Sequence, residues 1–160
     1  MKIDGRCHCG NLSFEAEVDP ESVEICHCAD CQTLSGSAFR VVVPAIEGSF
    51  RLLSGVPKTY VKTAASGNKR IQAFCPDCGT QIYATAADAT TKVFGLRVGA
   101  IRQRDVLVPR ANIGIGQPKV GWIKLTNCPA LKPSDTQFSR SPAPCKLNNL
   151  TACGMLPGEA

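Results

Sequence analysis

Seven of the ten cysteines in this 160-residue chain stand in three short clusters. These are Cys7-His8-Cys9-Gly10, Cys26-His27-Cys28-Ala29-Asp30-Cys31 and Cys75-Pro76-Asp77-Cys78-Gly79. A Cys-x-x-Cys followed by Gly folds the chain back until both sulfurs face one ion, and the Gly accepts the positive φ that such a turn often needs. A Cys-x-Cys pair can chelate too when the residue between points away. His8 and His27 each sit between two cysteines, so they read as neighbours of ligands or surface groups rather than ligands. Buried thiols or a redox pair would be the plainer reading, and an even cysteine count also fits a disulfide framework. The tight clustering and the N-terminal MKIDGRCHCG, which lacks an apolar leader run, favour metal in a soluble, cytoplasmic protein. Cys128, Cys145 and Cys153 are widely spaced and read as free thiols.

Structural zinc takes four ligands in a tetrahedron, and catalytic zinc keeps one position for water or substrate. Seven clustered cysteines divide into four plus three. Spacing alone leaves open whether Cys7 and Cys9 join the second or the third cluster. The simplest partition keeps Cys26, Cys28 and Cys31 together as an open site, leaving Cys7, Cys9, Cys75 and Cys78 as a closed structural site. The expected cofactor content is two zinc ions per chain.

Such sites also change the charge. The formal net charge is +5, but seven thiolates and two divalent ions bring it to about +2. Lys and Arg are scattered, and aromatic residues make up only 6%. Nucleic acid is therefore disfavoured as a partner. No stretch of 18 apolar residues exists to span a membrane.

The elements that must position these cysteines read as short strands. Leu12, Phe14, Ala16 and Val18 alternate with polar residues, the period of a half-buried strand. Further strands are expected at 39–43, ended by Pro44, and at 51–53 and 59–62 around a Ser-Gly-Val-Pro turn. Segments 70–74 and 81–85 flank the third cluster, and 93–98 and 106–108 complete the set. No long helical period is present, although a short helical turn is expected after Cys28. The reading is an all-β domain of mainly antiparallel sheets over residues 1–127. From Cys128 to Ala160 there are five prolines, one aromatic residue and no period, which reads as a weakly ordered tail.

With the clusters in this order, the sequence resembles the glutathione-dependent formaldehyde-activating enzyme family, which includes the centromere protein V relatives. The matching segments are Gly5-Arg6-Cys7-His8-Cys9-Gly10, Cys26 to Gln32, Ser35-Gly36-Ser37-Ala38-Phe39 and Phe74 to Thr80. The Leu53-Ser54-Gly55 turn and Val98-Gly99-Ala100 also fit, so the resemblance covers roughly residues 5–125. It implies antiparallel sheets of the Mss4-like group around zinc. It also implies a structural site at Cys7, Cys9, Cys75 and Cys78 and a catalytic-type site at Cys26, Cys28 and Cys31. The implied chemistry is that of a carbon-sulfur lyase, joining or separating a thiol such as glutathione and an aldehyde such as formaldehyde, with S-hydroxymethylglutathione as the adduct. Where family members usually carry a His and an aromatic residue before the last Trp, this chain has Arg110-Ala111-Asn112-Ile113 ahead of Trp122, so Asn112 alters the implied pocket.

Zinc turns a bound thiol into thiolate, the nucleophile that adds to a carbonyl carbon. The Thr33-to-Ser37 loop, through Ser35, Gly36 and Ser37, is a candidate to hold a substrate carboxylate or oxyanion, although it equally reads as an ordinary Ser/Gly turn. Arg40 is a candidate partner for the carboxylates of glutathione. The competing readings are a zinc-stabilised binding module and a redox or zinc sensor.

Overall fold

The computed structural model describes residues 1–64, 66–88 and 90–113. Two sheets hold the described strands. Strands β1 (Lys2–Arg6), β2 (Ser13–Glu17) and β5 (Arg51–Ser54) form a three-stranded antiparallel sheet in that order. The second sheet has seven strands. Its order is β10 (Ala111–Ile113), β3 (Glu24–Cys26), β4 (Arg40–Pro44), β9 (Gly95–Arg97), β8 (Gln81–Ala86), β7 (Lys69–Phe74) and β6 (Lys58–Thr63). Neighbours run antiparallel except β10 beside β3, which is parallel. The all-β architecture expected from the sequence is the one observed.

The small sheet follows from its alternation. Phe14 and Ala16 of β2 are buried while Glu15 and Glu17 face solvent, and opposite them on β1 lie Gly5 and Ile3. A side chain at position 5 has no room, since a Cβ there would come within 2.3 Å of the Phe14 ring. Phe14 then packs toward Phe50, which stacks on Phe94 at 4.5 Å between ring centroids and meets the Tyr83 edge at 5.1 Å. Burying Phe14 alone stabilises the fold by roughly 1.5–3 kcal/mol.

The large sheet has two unlike faces. Val43 and Leu96 join the core from one of them. Directly opposed residues share a face, and the register sets Cys26 opposite Arg40, Val42 opposite Arg97 and Lys62 opposite Arg70 on the other. Gln72 and Gly95 flank Ala84 on that same face. The small side chains of Ala84 and Gly95 leave space above the sheet between the charged ones.

The expected strands at 12–18, 39–43, 51–53, 59–62, 70–74 and 81–85 all appear, within a residue or two of those limits. The expected helical turn is α1 (Ala29–Ser35), which stops at Gly36 in the left-handed region (φ 62°). The strand expected over 93–98 is shortened to β9, with Val98 passing into a 3-10 turn. The strand expected at 106–108 is corrected. The N–H groups of Val106 and Leu107 donate back to the carbonyls of Gln103 and Arg104, closing a 3-10 turn that buries only Leu107. The boundary near residue 127, the tail from Cys128 and Trp122 lie outside the described residues. No helix among the described residues is long and apolar enough to cross a membrane.

Candidate functional site

Two hairpin loops build the first cysteine group. The loop from β1 to β2 carries Cys7 and Cys9, and the loop from β7 to β8 carries Cys75 and Cys78. The loops close alike. The Cys7 N–H donates to the Leu12 carbonyl at 3.0 Å, and the Cys75 N–H donates to that of Thr80 at 2.9 Å. A glycine of positive φ sits in each, Gly10 (84°) and Gly79 (72°). The His8 N–H donates to Thr80 Oγ1 at 3.0 Å, and Asn11 donates to Asp77, so one loop is tied to the other.

The four sulfurs lie within 4.8 Å of one another. Cys9 is 3.4 Å from Cys7 and 3.7 Å from Cys75. Tetrahedral zinc–sulfur bonds of about 2.3 Å place sulfurs about 3.8 Å apart, so the group is dimensioned for such an ion. Without a cation the thiols do not ionise alike. The Thr80 hydroxyl first, then the Cys9 and Thr80 N–H groups, bring the Cys78 thiol down to about 5. The Asn11 N–H favours a Cys9 thiolate, but the crowded sulfurs, Cys7 foremost, push that thiol up to about 12. Four sulfurs at this spacing ionise together only around a cation.

The second group comes from one stretch of chain. Cys26 ends β3, Cys28 caps α1 and Cys31 lies in its first turn. Their sulfurs again lie within 4.8 Å of one another, with Cys26 and Cys28 at 3.5 Å. The Cys31 N–H points at the Cys28 sulfur from 3.4 Å. Burial raises the Cys28 thiol, yet that N–H, the neighbouring sulfurs and Lys62 outweigh it and lower the thiol. Burial and then Cys26 push Cys31 up to about 12. Each group could hold a metal ion, and neither contains a disulfide.

The second group forms part of the wall of a cavity of about 480 Å³ over the polar face of the large sheet. Arg40, Lys62, Arg70 and Arg97 also line it, with Gln72 between the two innermost arginines. Lys62 is paired with Asp30 of α1. The first group does not line this cavity.

The other residues singled out from the sequence divide. Arg40 is buried in the cavity wall. Ser35 donates its hydroxyl to the Cys31 carbonyl at 2.6 Å, and the Gly36 N–H caps α1 by donating to the Gln32 and Thr33 carbonyls. Ser35 and Ser37 border a separate recess of about 440 Å³, which also reaches Arg40 and Arg97. Asn112 stands at the edge of the large sheet, where its Oδ1 accepts from His27 Nε2 at 2.9 Å; it does not line the cavity. Gln72, Lys62 and Arg97 went unread in the sequence. Each is an ordinary polar residue on a strand, and only the assembly of strands far apart in the chain brings them to the cavity that the cysteines line.

No curated protein sequence matches the chain. Among solved structures, the chain is similar to the crystal structure of a protein from Rhodobacter sphaeroides. The TM-score is 0.53 and the identity 18%, over 69% of this chain and 99% of the other. At that identity the likeness speaks for the fold alone. The sequence itself matches the glutathione-dependent formaldehyde-activating enzyme family over residues 2–116. With the cysteine groups assembled as described, the chain belongs to the glutathione-dependent formaldehyde-activating enzyme family.

Proposed function

We propose that the chain is a zinc-dependent carbon-sulfur lyase that joins or separates a small thiol and an aldehyde, with S-hydroxymethylglutathione as the first candidate adduct. The observation that carries this reading is the three-sulfur group in the wall of a cationic cavity. Cys7, Cys9, Cys75 and Cys78 would hold one zinc ion as a closed structural site, and Cys26, Cys28 and Cys31 a second. Bound at the second site, zinc would lower the pKa of a substrate thiol, supplying a nucleophile at neutral pH.

The chain's own residues supply the rest. Arg40 and Lys62 add positive charge beside the cysteines and favour an anionic thiol there. Addition of sulfur to the carbonyl carbon pushes the C=O π pair onto oxygen, and the resulting oxyanion takes a proton from water; the reverse reaction returns it. The Lys62 ammonium, held by Asp30, faces the cavity in which that oxyanion forms. The seven cysteines among the described residues form no disulfide, which suits a reducing compartment, and the cytoplasm is the proposed location. Residues 128–160 are proposed to contribute nothing to either site.

A turnover assay tests the reading. The zinc-loaded protein should raise the rate of adduct formation from glutathione and formaldehyde above the uncatalysed rate, and Cys28→Ser should abolish the increase. Binding of glutathione without turnover would point to another aldehyde. Absence of binding by any small thiol would favour the zinc-stabilised binding module.

A further inference from the structure

The cavity contains two arginines that the protein leaves short of partners. Arg40 and Arg97 are only 5% and 9% exposed. Among the described residues neither reaches a carboxylate within ion-pair distance. Both donate to one acceptor, Gln72 Oε1, Arg40 through Nη1 at 3.3 Å and Arg97 through Nη2 at 2.7 Å. Arg40 Nη2 and Arg97 Nε remain buried without a hydrogen-bond partner. Buried donors are normally satisfied, and like charges are not buried side by side without compensation. Burial and then the Arg40 charge hold the Arg97 guanidinium down at about 10.

The two free N–H groups lie on guanidiniums fixed by a common acceptor, a layout that suits a planar group with two oxygens. Arg40 stands directly opposite Cys26 on the adjoining strand, so this position is next to the sulfurs.

We propose that Arg40, Gln72 and Arg97 form a carboxylate-binding site, in which one carboxylate bridges Arg40 Nη2 and Arg97 Nε and anchors the acid end of the substrate beside the cysteine group. Its second half rests on the reading of the cavity as the thiol site. The site makes the enzyme selective for acidic substrates, because a neutral thiol would leave both donors unpaired.

Calorimetry on the full-length zinc-loaded protein tests this with thiols matched in length: mercaptoacetate against 2-mercaptoethanol, and 3-mercaptopropionate against 3-mercapto-1-propanol. At least one acid should bind about tenfold or more tightly than its alcohol. Arg97→Gln should shrink that ratio to within about twofold. Alcohols binding as well as acids would overturn the proposal. A second readout needs neither thiol nor variant. The arginine side-chain N–H signals of the wild-type protein are followed by NMR during titration with propionate. Saturable shifts of two buried arginines are expected. No arginine shift, or an equal response to sulfate, would overturn the carboxylate assignment. If propionate moves these signals while no thiol of either kind binds, the carboxylate site stands and the thiol-lyase reading fails.

Discussion

The two cysteine groups draw their sulfurs from the chain in opposite ways. Cys7 and Cys75 are 1% exposed and belong to the hydrophobic core, each in a hairpin loop that supplies one further sulfur. Two loops facing each other give a complete set of four. Cys26, Cys28 and Cys31 come from a strand end and the helix that follows, with the cavity beside them. A single local segment supplies three. Closure of a metal group therefore depends less on its motif, since both use short cysteine spacings, than on whether a second loop arrives opposite it. A metal held by the four-sulfur group would crosslink the small sheet's hairpin to the large sheet's, while one held by the three-sulfur group would crosslink little.

The largest expected effect tests that crosslink. Cys75→Ser or Cys7→Ser should leave the protein unfolded or aggregated at room temperature. A structural zinc contributes on the order of 10 kcal/mol, comparable to the whole stability of a domain. Circular dichroism with thermal melting would read it, and a native-like melt for either variant would break the assignment.

Cys28→Ser or Cys31→Ser should do the reverse. Activity and thiol binding should fall more than about a hundredfold, while Tm moves by only a few degrees, as for a half-buried substitution outside the core. Equal collapse of both sets of variants would remove the distinction between the groups.

A smaller effect sharpens the description of the closed group. Thr80 accepts from the His8 N–H and sets its hydroxyl 3.2 Å from the Cys78 sulfur. Thr80→Val should lower Tm by about 3–6 °C, the equivalent of a lost hydrogen bond in a domain of this size, with zinc content unchanged. The smallest effect is expected from shortening the chain. All seven grouped sulfurs lie at or before Cys78, so a chain ending at Thr126 should retain both metals by elemental analysis. Loss of one would mean that Cys128, Cys145 or Cys153 completes the second group.

The difference between the groups also marks what the sequence could reveal. Metal spacing is local, so all seven cysteines were legible as candidate ligands before any fold was known, whereas the cluster that Cys7 and Cys9 join was left open by spacing and is seen only in the assembled loops. The glycines after Cys9 and Cys78 were legible for the same reason. Arg40 could be picked out because it follows soon after the Ser35-Gly36-Ser37 loop. Arg97, Gln72 and Lys62 could not, because they lie on other strands far along the chain, and only the folded sheet brings them to the cavity that Cys26 lines. The strands missed were β1, β3 and β10. β3 and β10 have three residues each, too few to show a period, and β1 interrupts its apolar face with Gly5, whose place is taken by the Phe14 ring. At 106–108 the opposite error arose, since the apolar run Val106-Leu107-Val108 resembled a strand while the backbone bonds stay local. Asn112 was read through family resemblance as a change to the pocket, but its observed partner is His27 at the sheet edge.

The central claim is that the second group keeps a metal position open to a thiol and the first does not. Cobalt(II) loaded into the second group reports this directly, because its visible bands register both ligand type and geometry. Adding glutathione should strengthen the sulfur-to-cobalt charge-transfer band, keep the tetrahedral pattern, and do so only while Cys26, Cys28 and Cys31 are intact. A spectrum unchanged by glutathione and by every smaller thiol, with cobalt demonstrably held by those three cysteines, would contradict the account.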